Sequence, residues 1–157
     1  MDQLSLQSLF KVNEIEIIYR NTVPYQDRIQ IRSSSTAYEI LLATWAENRI
    51  ELVEQFKILL LDQKNNCLGV SDIGTGGMSS CLADPKVIFA TALKARATGI
   101  ILAHNHPSGN LTPSEQDKTL TRKLQDGGKL LDIAVLDHLI VTPHNYRSFA
   151  DDGLMPG

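Results

Sequence analysis

The run FKILLLD, residues 56–62, is apolar at almost every position and has the length of a strand. Polar QKNN follows, then CLGVSDI, 67–73, which has the make-up of a returning strand, so the two runs predict a β-hairpin. GIILAHNH, 99–106, is another apolar run and predicts an interior strand that ends in histidines. KLLDIAVLDHLIVTP, 129–143, supplies one or two further strands. NEIEIIYR, 13–20, predicts a first strand from its β-branched and aromatic residues.

Helices fall between these runs. Thr36 and Glu39 have the spacing of a capping box, and Tyr38, Leu41, Leu42 and Trp45 follow at helical intervals, so a helix should run to about Asn48. Asp84-Pro85 opens a second helix. KVIFATALKARAT is apolar on most sides, so this helix should be largely buried, and Gly99 should end it. Thr112-Pro-Ser-Glu115 has the spacing of another capping box, with proline at the first helical position. Leu120 and Leu124 share one face of the helix behind it, and Gly127-Gly128 should stop it. The predicted order β-α-β-β-α-β-α-β-β belongs to the α/β class, a mixed β-sheet flanked by helices.

Length and composition narrow the function classes. The 157 residues suit one core; residues 1–12 read as an arm and 13–154 as a single domain. The chain is 43% apolar and 21% charged, ordinary for a soluble globular protein. A net charge of −3 offers no basic surface for nucleic acid or anionic lipid. Two cysteines, Cys67 and Cys81, without a C-x-x-C pair exclude a cysteine-rich zinc knuckle and a disulfide framework, and point to small core residues in the reducing cytoplasm. No signal-peptide pattern opens the chain, and no apolar run approaches the roughly 20 residues of a membrane helix.

The chemistry concentrates in LAHNHPSGNLTPSEQD, residues 102–117. Side chains two apart on a strand share a face, so His104 and His106 can reach one ion. Residues three apart on a helix are neighbours, so Ser114 and Asp117 adjoin on the first turns of the next helix. The turn between brings the helix start back to the strand end. Two imidazole nitrogens and one carboxylate oxygen suit zinc, which in catalytic sites keeps a fourth position for water and lowers that water's pKa to about 7. A hydroxyl near a helix N-terminus can steady an oxyanion, and a general base, commonly a glutamate, is still required.

His104-Asn-His106, seven residues, then Ser114-Glu-Gln-Asp117 matches the H-x-H-x7-S-x-x-D motif of the JAB/MPN metalloprotease family, often called JAMM. The wider text, ILAHNHPSGNLTPSEQD and later LDHLIV, resembles the RadC branch of that family over residues 13–154. The resemblance implies a three-layer, cytidine-deaminase-like arrangement, with His104, His106 and Asp117 as ligands of one zinc ion and Ser114 as the oxyanion contact. It also implies an upstream glutamate as base. Glu54, in VEQFKILLLD, fits that place, and Glu51 is the second candidate. The implied activity is hydrolysis of a peptide or isopeptide bond in a protein or peptide substrate by metal-activated water.

Two other functions stand beside it. Longer RadC proteins carry a helix-hairpin-helix segment linked to DNA repair. This chain shows no such pattern, and its net charge disfavours strong duplex binding. The other is a zinc-binding interaction module without catalysis. A zinc deaminase is disfavoured because H-x-E and P-C-x-x-C are both absent. Among the remaining candidates, His138 reads as a structural or supporting histidine bonded to Asp137, and His144 as a loop residue without a special role. GTGG, 74–77, reads as a mobile flap, and loops 21–34 and 74–83 as the place of specificity. EIEIIYR reads as an edge open to pairing with a second copy in a homodimer.

Overall fold

The computed structural model describes residues 16–76 and 83–157. The expected arm 1–12, Cys81 and the end of GTGG lie outside them. Strands β1 (Gln55–Leu61) and β2 (Cys67–Thr75) form the antiparallel hairpin. Asp62 shapes its turn, its carboxylate accepting the Lys64 and Asn66 amides at 2.9 Å each, while Asn65 takes the left-handed conformation at φ 62°. β3 (Gly99–Asn105) pairs antiparallel with β1 and parallel with β4 (Ala134–Val141), and β5 (Tyr146–Ser148) returns antiparallel along β4. The order β2-β1-β3-β4-β5 puts β3 at the centre, where all its residues are buried. That burial on both faces is why its sequence is apolar without alternation.

Helix α1 (Ser34–Thr44) covers one face, packing Ala37 and Leu41, with Trp45 just beyond its end, against Leu59, Leu61, Ile101 and Leu139. Helices α2 (Pro85–Lys94) and α3 (Glu115–Leu130) cover the other, with Ile88, Ala92 and Leu124 against Ile58, Leu60, Ile100 and Leu102. The α/β class and the mixed, helix-flanked sheet are therefore as expected. Among the described residues no helix is long and apolar enough to cross a membrane.

Several local expectations are corrected. Residues 16–20 form no strand; among the described residues no strand pairs with them, and Ile17 is 92% and Ile18 55% exposed. The cap of α1 is Ser33, whose hydroxyl accepts the Thr36 amide, and the helix ends at Thr44 because Trp45 turns extended and is itself buried. α2 is amphipathic rather than largely buried: Ile88 and Ala92 are enclosed, whereas Val87 is 43% and Leu93 54% exposed. It stops at Lys94, ahead of Gly99, which opens β3. α3 is capped by Ser114, not Thr112.

Gly127 and Gly128 do not stop α3; they lie inside it. Their smallness serves close approach. A Cβ on Gly128 would meet the Ile133 carbonyl oxygen at 2.3 Å, and one on Gly127 the Phe89 ring at 2.9 Å. The Gly128 contact is backbone and cannot swing aside. Gly128→Ala is therefore expected to lose about 1–3 kcal/mol of stability through overpacking, which outweighs the gain of about 1 kcal/mol in helix propensity. Gly127→Ala should cost less, since a ring edge can shift. Urea denaturation of both variants checks this, and a Gly128→Ala protein as stable as wild type would contradict the close contact.

Candidate metal centre

The site lies where β3 ends, β1 begins and α3 starts. His104 is on the α3 face of β3, 2% exposed, with Phe56 of β1 opposite it in register. His106 follows just past the strand end, and its Nε2 is 2.9 Å from Nε2 of His104. Asp117, in the first turn of α3, sets Oδ1 3.4 Å from His104 Nε2 and Oδ2 3.6 Å from His106 Nε2. Glu54, immediately before β1, puts Oε1 3.8 Å from His106 Nε2. One ligand atom from each of Glu54, His104 and His106 lies within 4.8 Å of the others.

The two glutamate candidates are thus separated by their surroundings. Glu54 reaches the imidazoles, whereas Glu51 lines a cavity of about 340 Å³ with Trp45, Pro143 and His144. Among the described residues Ser114 is hydrogen-bonded to the cluster through Asp117. Its hydroxyl accepts the Asp117 amide at 3.0 Å, and the Asp117 carboxylate accepts the Ser114 amide at 2.8 Å, a complete capping box. The expectation that Thr112 caps the helix is therefore overturned. Capping uses a lone pair of the hydroxyl, however, and leaves its proton available to a substrate.

The donor set fits a cation. The Asn110 carbonyl, 2.5 Å from His106 Nδ1, can only accept, so that nitrogen carries the proton and His106 Nε2 is left with its lone pair. His104 Nδ1 is engaged with His138, so its Nε2 likewise faces the cluster. Two ring nitrogens and two carboxylates then meet with an excess of lone pairs, an arrangement that a metal ion or a proton must bridge. The electrostatics agree. The Asp117 carboxylate above all raises the His106 pKa, burial opposing and the Asn110 carbonyl and Glu54 adding. Burial alone would raise the Asp117 carboxyl, but the His104 and His106 rings and the Ser114 amide hold it well below the usual carboxylate range.

Two supporting residues were not legible as such. Asn105, fully buried, points to the opposite face of β3 from His104. It donates to the Ile50 and Val53 carbonyls at 2.7 and 2.8 Å and accepts the Gln55 amide at 2.7 Å. These bonds hold the segment that carries Glu54. The available signal was an amide inside an apolar strand, since buried polar groups need partners. Thr121, one turn beyond Asp117, bonds His138, which is wholly buried and held well below the ordinary histidine value, first by burial and then by the His104 ring. The Asp137 carboxylate takes the His138 backbone amide at 2.7 Å, so the expected Asp137–His138 bond exists through the backbone and not the ring.

A five-stranded mixed sheet with helices on both faces, and a possible His-His-Glu metal site at the end of its central strand, define an α/β domain with a candidate metal centre. Residues 31–154 match the family model of the RadC-like JAB domain, and the chain belongs to that family. It is 38% identical over 130 residues to a UPF0758 protein of Symbiobacterium thermophilum, which covers 83% of this chain and 54% of that protein. It is 42% identical over 101 residues to a UPF0758 protein of Flavobacterium johnsoniae, covering 64% of this chain and 44% of that protein. A UPF0758 protein of Thermotoga maritima is 39% identical over 100 residues, covering 64% of this chain and 45% of that protein. The chain spans about half the length of these curated relatives.

The Asn105 bonds make a prediction of their own. Asn105→Ala leaves two carbonyls and one amide without partners and should cost about 1–3 kcal/mol for each group that water cannot reach. Hydrogen exchange at the Gln55 amide should accelerate more than at the neighbouring strand amides. Unchanged exchange there would mean that Asn105 does not hold the Glu54 segment.

Proposed function

We propose that this domain is a zinc-dependent amide hydrolase of the JAMM type, acting in the cytoplasm on a peptide or isopeptide bond of a protein or peptide substrate. The observation that supports it best is the convergence of two imidazole Nε2 atoms and two carboxylates, with both Nδ1 atoms occupied elsewhere. His104, His106 and Asp117 hold the ion. Bound there, zinc supplies Lewis acidity and lets water act as a nucleophile at neutral pH.

The other groups follow from their chemistry. Glu54 sits beside the ligands on a pinned segment, takes a proton from the attacking water and passes it to the leaving amine. The Ser114 hydroxyl, with its lone pair spent on the cap, directs its proton to the oxyanion that develops on the carbonyl. Glu54 is as close to the imidazoles as a ligand would be, so a second reading makes it the third ligand in place of Asp117.

Elemental analysis of purified protein and its variants tests both. Wild type should carry about one zinc per chain, as a single three-ligand site requires. His104→Ala and Asp117→Asn should lose it. Glu54→Gln should keep the metal and lose amide hydrolysis by at least about two orders of magnitude, the usual worth of a general base. Loss of metal in Glu54→Gln with retention in Asp117→Asn would exchange the two roles. Wild-type protein without metal after zinc addition would defeat the proposal.

A further inference from the structure

Behind His104 runs a chain of buried hydrogen bonds whose direction is set by one backbone carbonyl. Thr121 Oγ1 is 2.7 Å from the Asp117 carbonyl oxygen and 2.7 Å from His138 Nδ1. His138 Nε2 is 2.8 Å from His104 Nδ1. His138 is fully enclosed, with the Phe149 ring stacked on it at 4.7 Å and Phe56 edge-on at 5.7 Å.

A carbonyl oxygen can only accept and a threonine hydroxyl has one proton. If that proton went to His138, the hydroxyl oxygen and the Asp117 carbonyl would face each other at 2.7 Å with no hydrogen between them. The hydroxyl therefore donates to Asp117 and accepts from His138 Nδ1. The buried His138 ring, whose nitrogens meet Thr121 and His104 and, among the described residues, no carboxylate, carries a single proton, so its Nε2 must accept. The donor to it is His104 Nδ1–H. The Nε2 of His104 is then left as a bare lone pair, aimed at His106 and Asp117.

We propose that Thr121 and His138 are positioning residues that lock His104 in its Nδ1–H tautomer and so make its Nε2 a ready metal ligand. The consequence for metal rests on the metal-binding reading above; the tautomer does not. Removing the hydroxyl reverses the chain. In Thr121→Val a proton on His138 Nδ1 would be buried without an acceptor, so it moves to Nε2 and is donated to His104 Nδ1. His104 then carries its own proton on Nε2, the atom needed by the metal. Thr121→Ser keeps the hydroxyl and serves as the rescue.

The experiment is long-range proton–nitrogen NMR of the histidine rings in metal-free protein, which has four histidines to assign. It is paired with zinc affinity measured by competition against a chelating dye. His104 and His138 should both appear as Nδ1–H in wild type and Thr121→Ser, and as Nε2–H in Thr121→Val. Zinc affinity should fall about 10–100-fold in Thr121→Val, the usual effect of losing such a supporting contact, and stay within a few-fold of wild type in Thr121→Ser. An Nε2–H form of His104 or His138 in wild type overturns the proposal, as does undiminished zinc affinity in Thr121→Val. Wild-type protein with the expected tautomers but no zinc binding would leave the tautomer lock standing and remove the metal reading alone.

Discussion

At the end of β3 the pleat of a strand sends His104 to one face of the sheet and Asn105 to the other, and the candidate centre depends on that division. On the α3 side, His104 faces the carboxylate of Asp117. On the α1 side, Asn105 grips the carbonyls of Ile50 and Val53 and the amide of Gln55. The segment between those contacts carries Glu54. One central strand therefore supplies an imidazole directly and positions a carboxylate from a separate part of the chain. A loop without that grip would pay the entropy of ordering Glu54 each time the site formed.

The start of α3 supplies the opposing half. The capping box satisfies the Ser114 and Asp117 amides with side chains, so the first turn is rigid where an unaided helix end would fray. Asp117 contributes three times over: its carboxylate caps the helix, the same group faces both imidazoles, and its carbonyl receives the Thr121 hydroxyl. The positive end of the helix favours the ionised carboxylate.

His138 reaches this site because β4 is irregular. The register between β3 and β4 shifts between Ile100 and Ile101, where the partners change from Val135 to Asp137. Val135 belongs to the apolar cluster on the α2–α3 side, whereas Leu139 belongs to the cluster under α1. Four residues apart on an unbroken strand, they would share a face. The shift moves His138 to the α3 side, beside His104 and Thr121, and leaves Leu136 39% exposed as the residue taken up by the irregularity.

The sequence by itself indicated strands at 56–62, 67–73 and 99–106, from short runs of strand length bounded by turn residues, and β1, β2 and β3 lie there within two residues at each end. It also pointed to His104, His106 and Asp117 as neighbours, since only a short turn separates the strand that ends in the histidines from the helix that starts with Asp117 in its first turn. Other features depended on what lay across the space. NEIEIIYR has the residues of a strand, but a strand needs a partner, and residues 16–20 have none among the described residues. Gly127-Gly128 looks like a helix stop, yet the Ile133 carbonyl and the Phe89 ring are what require glycine there. The nearness of Glu54 rather than Glu51 to the imidazoles, and the meeting of His138 with His104, are likewise features of the tertiary structure. The second depends on the β4 register shift, which puts His138 on the same side of the sheet as His104. A pattern of hydrophobic and polar positions carries the period of an element but not the identity of what packs against it.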